Sequence, residues 1–248
     1  MLAVVASLTA RGVLGRKRAL LIGLAMLLPV GIAIIYAFAD GGTDSPVERT
    51  ELAVDIVNGL ILTLLLPLVA LVLGTAAIGG EIEDGTAVFL LTKPIARRKI
   101  MLVKMAVAAA CTAAMTVPST VATAWIVSGS PTRNGVVVGL AVGAFAGAVL
   151  YTVVFVALSA RTHRALVIGL IYVFVWEAIL ANLFSGLRWI SIREYSIGWA
   201  HMVINDVASS FTAHLGIGVT VIGSLVVIVA SFFLGSRALE HFEIGERA

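Results

Sequence analysis

Six apolar stretches, each long enough to cross a bilayer, decide what this chain can fold into. They cover 19–38, 59–78, 100–127, 136–158, 165–184 and 217–234. A spanning helix needs roughly 20 mostly apolar residues, because the hydrocarbon core is about 30 Å thick and a helix rises about 1.5 Å per residue. Inside hydrocarbon every backbone polar group needs an internal partner, so each stretch is read as a helix. The third exceeds one crossing, which predicts a tilt or first turns that stand outside the bilayer. Composition agrees: 60% of the 248 residues are hydrophobic and 12% are charged, too few charges to solvate a water-soluble domain of this size. The first stretch follows Arg16-Lys17-Arg18. It is too long for a signal-peptide core and no small-residue cleavage pattern precedes Asp40, so it is read as a retained span.

The basic residues orient the six spans. With the amino terminus inside, inner segments hold Arg11, Arg16, Lys17, Arg18, Lys93, Arg97, Arg98, Lys99, Lys104, Arg161, Arg164, Arg237 and Arg247. Outer segments hold Arg49, Arg133, Arg188 and Arg193. Thirteen of the 17 Lys and Arg therefore fall on one side, and the positive-inside rule makes that side the cytoplasm, with both termini there.

The outer connection 185–215 is too apolar for a solvated loop. It carries Trp189, Ile190, Ile192, Tyr195, Ile197, Trp199, Met202, Val203 and Ile204, and aromatics with one wet end favour the interface. Short helices that dip into or lie on the outer leaflet, capping the spans, are expected. The fourth span carries Gly139, Gly143 and Gly147 on one face, a small-residue pattern for close backbone approach that is read as packing within the subunit. Pro29, Pro67 and Pro118 lie inside spans, either as hinges or as kinks that neighbouring helices tolerate. Glu177 is the one carboxylate near the middle of a span. Such a group marks a pathway or a partner; the alternatives are a cargo-facing position and pairing with Arg188 or a backbone group. Asp55 and Asn58 are read as interfacial, at the opening of the second span.

The connection 79–99 reads GGEIEDGTAVFLLTKPIARRK. Glu81, Glu83 and Asp84 stand where a helix after Gly80 would begin, and their charge suits the positive end of its dipole. Pro94 ends that helix, since the residue before a proline avoids helical angles, and Arg97-Arg98-Lys99 anchor the next span to inner headgroups. The result is an acidic, amphipathic helix held below the membrane, on which a soluble partner can push.

Glu81, Glu83, Asp84, Gly85, Thr86, Leu90, Leu91, Pro94 and Arg97 or Arg98 resemble the pattern of permeases of the type-2 ATP-binding-cassette (ABC-2) exporter family. The resemblance covers nearly the whole chain: a basic amphipathic amino-terminal segment 2–18, six spans, both ends inside and an apolar outer insertion before the last span. It implies an all-α integral membrane protein with an interfacial amino-terminal helix and short re-entrant outer helices. It also implies that the 79–99 connection is the coupling helix docking an ABC ATPase subunit, present in two copies that bind the ATP and magnesium, alongside a second permease copy or a similar paralogue. Lipids surround it, nucleic acid has no part, and the place is the bacterial cytoplasmic (inner) membrane. Family cargoes include drugs, antibiotics, lipids and polysaccharides, moved outward, with Glu177 a pathway residue if the cargo contacts the fifth span.

The chain itself lacks catalytic equipment. Gly80 and Gly85 have the spacing of a phosphate-binding loop, but Thr86 and Ala87 follow where Lys and Ser or Thr are required. No span carries a histidine or a pair of acids, there is no HExxH, and the single Cys111 makes no disulfide. ATP hydrolysis is therefore expected in a separate subunit. An ion- or proton-coupled carrier, and a structural subunit that transports nothing, are the alternative readings; a carrier would show several intramembrane charges and an internal repeat.

Overall fold

The computed structural model describes residues 9–10, 12–13, 15–40, 44–83, 97–130, 135–162, 164–180, 189–204 and 214–240. Among them every regular element is helical and none is a strand. We number the helices α1 (Arg16–Asp40), α2 (Pro46–Ile56, a π-helical stretch Val57–Leu65, then Leu66–Glu83), α3 (Arg97–Ser128), α4 (Val136–Arg161), α5 (Ala165–Ile171, then π-helical Tyr172–Leu180), α6 (Ile192–His201) and α7 (Ile217–Glu240). Five of them are long and apolar enough to cross a membrane, and each contains one of the expected spans. The remaining expected span, 165–184, appears as a shorter apolar helix. Its described part ends at Leu180, about 24 Å from its start at α-helical rise, short of the ~30 Å hydrocarbon thickness.

The second helix begins 13 residues before its apolar run does, because a local signal starts it. Ser45 is the N-cap, its hydroxyl accepting the Glu48 N–H while the Glu48 carboxylate accepts the Ser45 N–H at 2.7 Å, and Pro46 supplies a preset φ at the first helical position. Asp55 and Asn58, expected where this span opens, therefore lie in the body of α2. Its π stretch closes with the Leu66 N–H on the Ile61 carbonyl, five residues back. Pro67, which has no donor to give, follows at the seam where the helix returns to α register.

The central element is α4. Of its most apolar stretch 67% is buried, against 22% in α1 and 17% in α7. The outer faces of α1 and α7 are instead lined by residues such as Leu24, Ile35, Phe38, Leu225 and Phe233, an exterior suited to hydrocarbon. Together with their lengths this makes the chain a multi-pass membrane protein. The expected amphipathic helix 2–18 lies largely outside the described residues, but Val13 is fully buried and packs in one cluster with Ile22, Ile78 and Met101. Ser119, beside Pro118 in α3, donates its hydroxyl to the Met26 carbonyl of α1 at 2.6 Å, a buried contact that ties the two helices together. Thr152 and Thr112 add a buried hydroxyl pair at 3.0 Å between α4 and α3.

The glycine face of α4 seats α6. A Cβ on Gly139 would stand 2.8 Å from the Ala200 carbonyl oxygen, one on Gly143 2.8 Å from both the Ala200 methyl and the Ser196 carbonyl, and one on Gly147 2.7 Å from the Ser196 hydroxyl. Rising numbers on α4 meet falling numbers on α6, so the two run antiparallel at backbone-to-backbone distance. On its other side α6 meets α7: the Trp199 indole donates to Ser224 at 3.0 Å, and Gly198 leaves room for Thr220. Small residues therefore hold α6 inside the protein, between two long helices. The packing reading of Gly139, Gly143 and Gly147 is borne out, and their partner is α6.

Candidate functional site

Two places among the described residues bear on the residues singled out in the sequence. The first is the connection between α2 and α3. Here α2 runs on through Gly79 and Gly80 to Glu83. Glu81 and Glu83 therefore end a helix instead of beginning one, a correction to the sequence reading. Two glycines cost about 1 kcal/mol each in a helix interior, too little to stop one packed along its length. Asp84, Gly85, Thr86, Leu90, Leu91 and Pro94 lie outside the described residues.

The other bank of this connection is described. Arg97 opens α3, and its guanidinium donates to the Leu239 carbonyl of α7 at 2.6 Å. Leu239 is one of the last residues of α7, whose final carbonyls have no partner within the helix. Arg98 and Lys99 are exposed beside it. Two turns further, Lys104 is only 2% exposed and its ammonium donates to the Ala77 carbonyl of α2 at 2.7 Å. The start of α3 thus holds the ends of both α2 and α7 through basic side chains. The charge count assigns Lys104 only to an inner segment, and the packing of α3 on α2 reveals its burial.

The second place is Glu177, whose side chain is fully buried. Three donors converge on its carboxylate. The Tyr172 hydroxyl reaches Oε1 at 2.9 Å, the Ile192 backbone N–H reaches Oε1 at 2.9 Å, and the Ser191 hydroxyl reaches Oε2 at 2.6 Å. In an α-helix residues five apart point about 140° away from one another. The wider π turn, bonded i to i−5, brings Tyr172 and Glu177 onto one face. The backbone arm of the sequence reading is realised through Ile192, while Arg188 lies outside the described residues.

Ser191 is the N-cap of α6, and its hydroxyl also takes the Glu194 N–H. Two residues on, Arg193 donates to the Asn58 side chain at 3.1 Å, in the π stretch of α2. Asn58, read as interfacial, is half-buried and ties α2 to the start of α6. Glu194 is buried and lies 3.2 Å from His214, ahead of α7. The first turn of α6 is thus gripped from both sides by π-helical segments. The sequence carried a signal for it: Ser191-Ile-Arg-Glu194 has the same Ser-x-x-Glu spacing as Ser45-Pro-Val-Glu48. Among the described residues no group of three or more His, Cys, Asp or Glu is placed to hold a metal ion.

Residues 14–176 match the profile of the ABC-2 family transporter proteins. The chain belongs to the ABC-2 family. The match spans α1 to α4 and most of α5, and it stops one residue before Glu177, so α6 and α7 of this permease lie beyond it. Among curated proteins none matches the chain. Members of the family are generally not catalytic themselves, and the family in general implies an ABC ATPase partner.

Proposed function

We propose that this permease is the membrane half of a bacterial ABC exporter, moving a small or amphiphilic substrate outward with ATP hydrolysed by two copies of a separate subunit. The observation that carries the reading is the family match together with the position of the 84–96 connection. It leaves α2 and enters α3 at the end of the bundle where Arg97, Arg98, Lys99, Arg161, Arg164 and Arg237 gather. By the positive-inside rule that end is cytoplasmic, where an ATPase is found. Glu81, Glu83, Asp84, Gly85, Thr86, Leu90, Leu91, Pro94 and Arg98 form the docking element in this reading. Arg97 passes its movement to α7.

Both termini are then cytoplasmic, residues 165–184 form the remaining span, and α6 is a re-entrant helix entering from the outer side. A second copy, or a similar paralogue, completes the transporter. ATP-driven closure of the ATPase pair moves the spans as bodies and opens a pathway outward.

The test is purification of the tagged chain from its native membrane in mild detergent, with mass spectrometry of what accompanies it. A soluble protein with Walker motifs should co-purify and be lost when Glu81, Glu83 and Asp84 are replaced by alanine, with membrane insertion unchanged. An ATPase that stays bound to that triple variant, with transport intact, would sink the coupling assignment.

A further inference from the structure

A fully buried carboxylate within a membrane protein calls for a reason, and the obvious one is contact with a cargo or a coupling ion. The surroundings of Glu177 point elsewhere. Two of its three donors, Ser191 and the Ile192 N–H, are the first groups of α6, and the third, Tyr172, is its neighbour across one π turn. The Ile192 N–H is one of the four donors a helix start leaves without an internal partner, and Glu177 supplies its acceptor at the start of the ten-residue α6.

The place is informative as well. Ser196 packs on Gly147, about 16 Å along α4 from Val136, and the start of α6 lies one turn deeper, in one cluster with Tyr151. A bare helix start at such a depth has no water to satisfy it, so the protein must.

We propose that Glu177 is a positioning residue, a latch that fixes the start of α6 between α4 and the two π-helical segments, and that it does not contact cargo. The contacts require acceptors, not charge. A glutamine at 177 keeps two of them and reverses the third: its carbonyl oxygen accepts from Tyr172 and Ile192, and its amide donates to the Ser191 oxygen in place of the bond that the hydroxyl gives the carboxylate. An alanine leaves all three donors buried without partners. A charge that binds a cation, carries a proton or pairs with a cationic cargo is lost in both variants.

The experiment uses the full chain in native membranes, with Cys111→Ala removing the one natural thiol and Ile197→Cys as reporter. Ile197 is 5% exposed in the α6 core contact, so a membrane-permeant maleimide labels the reporter thiol only when α6 leaves its seat. Glu177→Gln should label at the parent rate, and Glu177→Ala on the order of tenfold faster. Ser191→Ala, which removes one donor to Glu177 together with the N-cap acceptor of the Glu194 N–H, should fall between them and serves if Glu177→Ala does not insert. Equal labelling of the parent and Ser191→Ala, or Glu177→Gln as fast as Glu177→Ala, overturns the latch.

Transport supplies the second readout, which rests on the exporter reading. Glu177→Gln should retain the parent rate. Loss of transport in Glu177→Gln while the reporter thiol stays protected would assign the carboxylate to the cargo or ion and overturn the proposal. If the parent itself neither binds an ATPase nor transports, the exporter reading fails alone, and the labelling result still decides the latch.

Discussion

Arg97 and Leu239 are separated by 142 positions in the chain, yet the guanidinium of one lies 2.6 Å from the carbonyl oxygen of the other. This contact closes the end of α7 with the first residue of α3, immediately after the connection assigned to the ATPase. A cation there also meets the negative pole of the α7 dipole.

Removing it should cost stability and coupling together. Arg97→Ala is expected to lower stability by about 1–2 kcal/mol, the worth of a charged hydrogen bond to an exposed-end carbonyl. Arg98→Ala, an exposed change, should stay within about 0.5 kcal/mol. Thermal unfolding of the purified variants in detergent separates the two, and equal shifts would show that the Leu239 contact contributes nothing.

Lys104 offers a cleaner measurement of a buried charge. Lys104→Met keeps most of the volume and removes the donor to Ala77, for an expected loss of about 1–2 kcal/mol. Lys104→Ala adds a cavity between α2 and α3, raising the loss to about 2–4 kcal/mol. Melting curves that rank alanine as the milder change would contradict the packing described for this lysine.

The glycine seat of α6 predicts a strong positional contrast. At Gly143 an added methyl would meet the Ala200 methyl and the Ser196 carbonyl at 2.8 Å, whereas at Gly31 in α1 nothing lies within 4 Å. Gly143→Ala should destabilise by about 1–3 kcal/mol through overpacking. Gly31→Ala should be neutral or stabilising by a few tenths through helix propensity. Detergent melts decide it, and a tolerated Gly143→Ala would mean that α6 does not press on α4 there.

The start of α2 is open to hydrogen exchange. Ser45→Ala removes the hydroxyl that holds the Glu48 N–H, at a cost of about 1 kcal/mol. Amide exchange at Glu48 and Arg49 should accelerate by roughly fivefold, with the middle of α2 unchanged. Glu48→Gln, which preserves the reciprocal bond, should leave exchange as it is.

Hydropathy reads five of these helices well because the requirement is local: each 20-residue stretch either suits hydrocarbon or does not, whatever surrounds it. The same locality let the Gly139, Gly143 and Gly147 face be recognised as a packing surface. Ser45 and Glu48, and Ser191 and Glu194, were equally legible as helix starts, although the apolar runs drew the reading away from both. The 81–83 turn misled because glycine marks a helix end only when nothing else holds the helix, and α3 and α4 hold α2.

By itself the sequence determined that the chain is a helical membrane protein, where its long helices lie and which face of α4 comes close to another backbone. All of these follow from residues within one or two turns of one another. Only the tertiary structure decided that the partner of that face is α6, that Lys104 is buried against α2, that Arg97 closes α7, and that Glu177 meets Ser191 and the Ile192 N–H. Each of those contacts joins residues far apart in the chain, and its energy exists only once the helices have packed, so no local pattern records it.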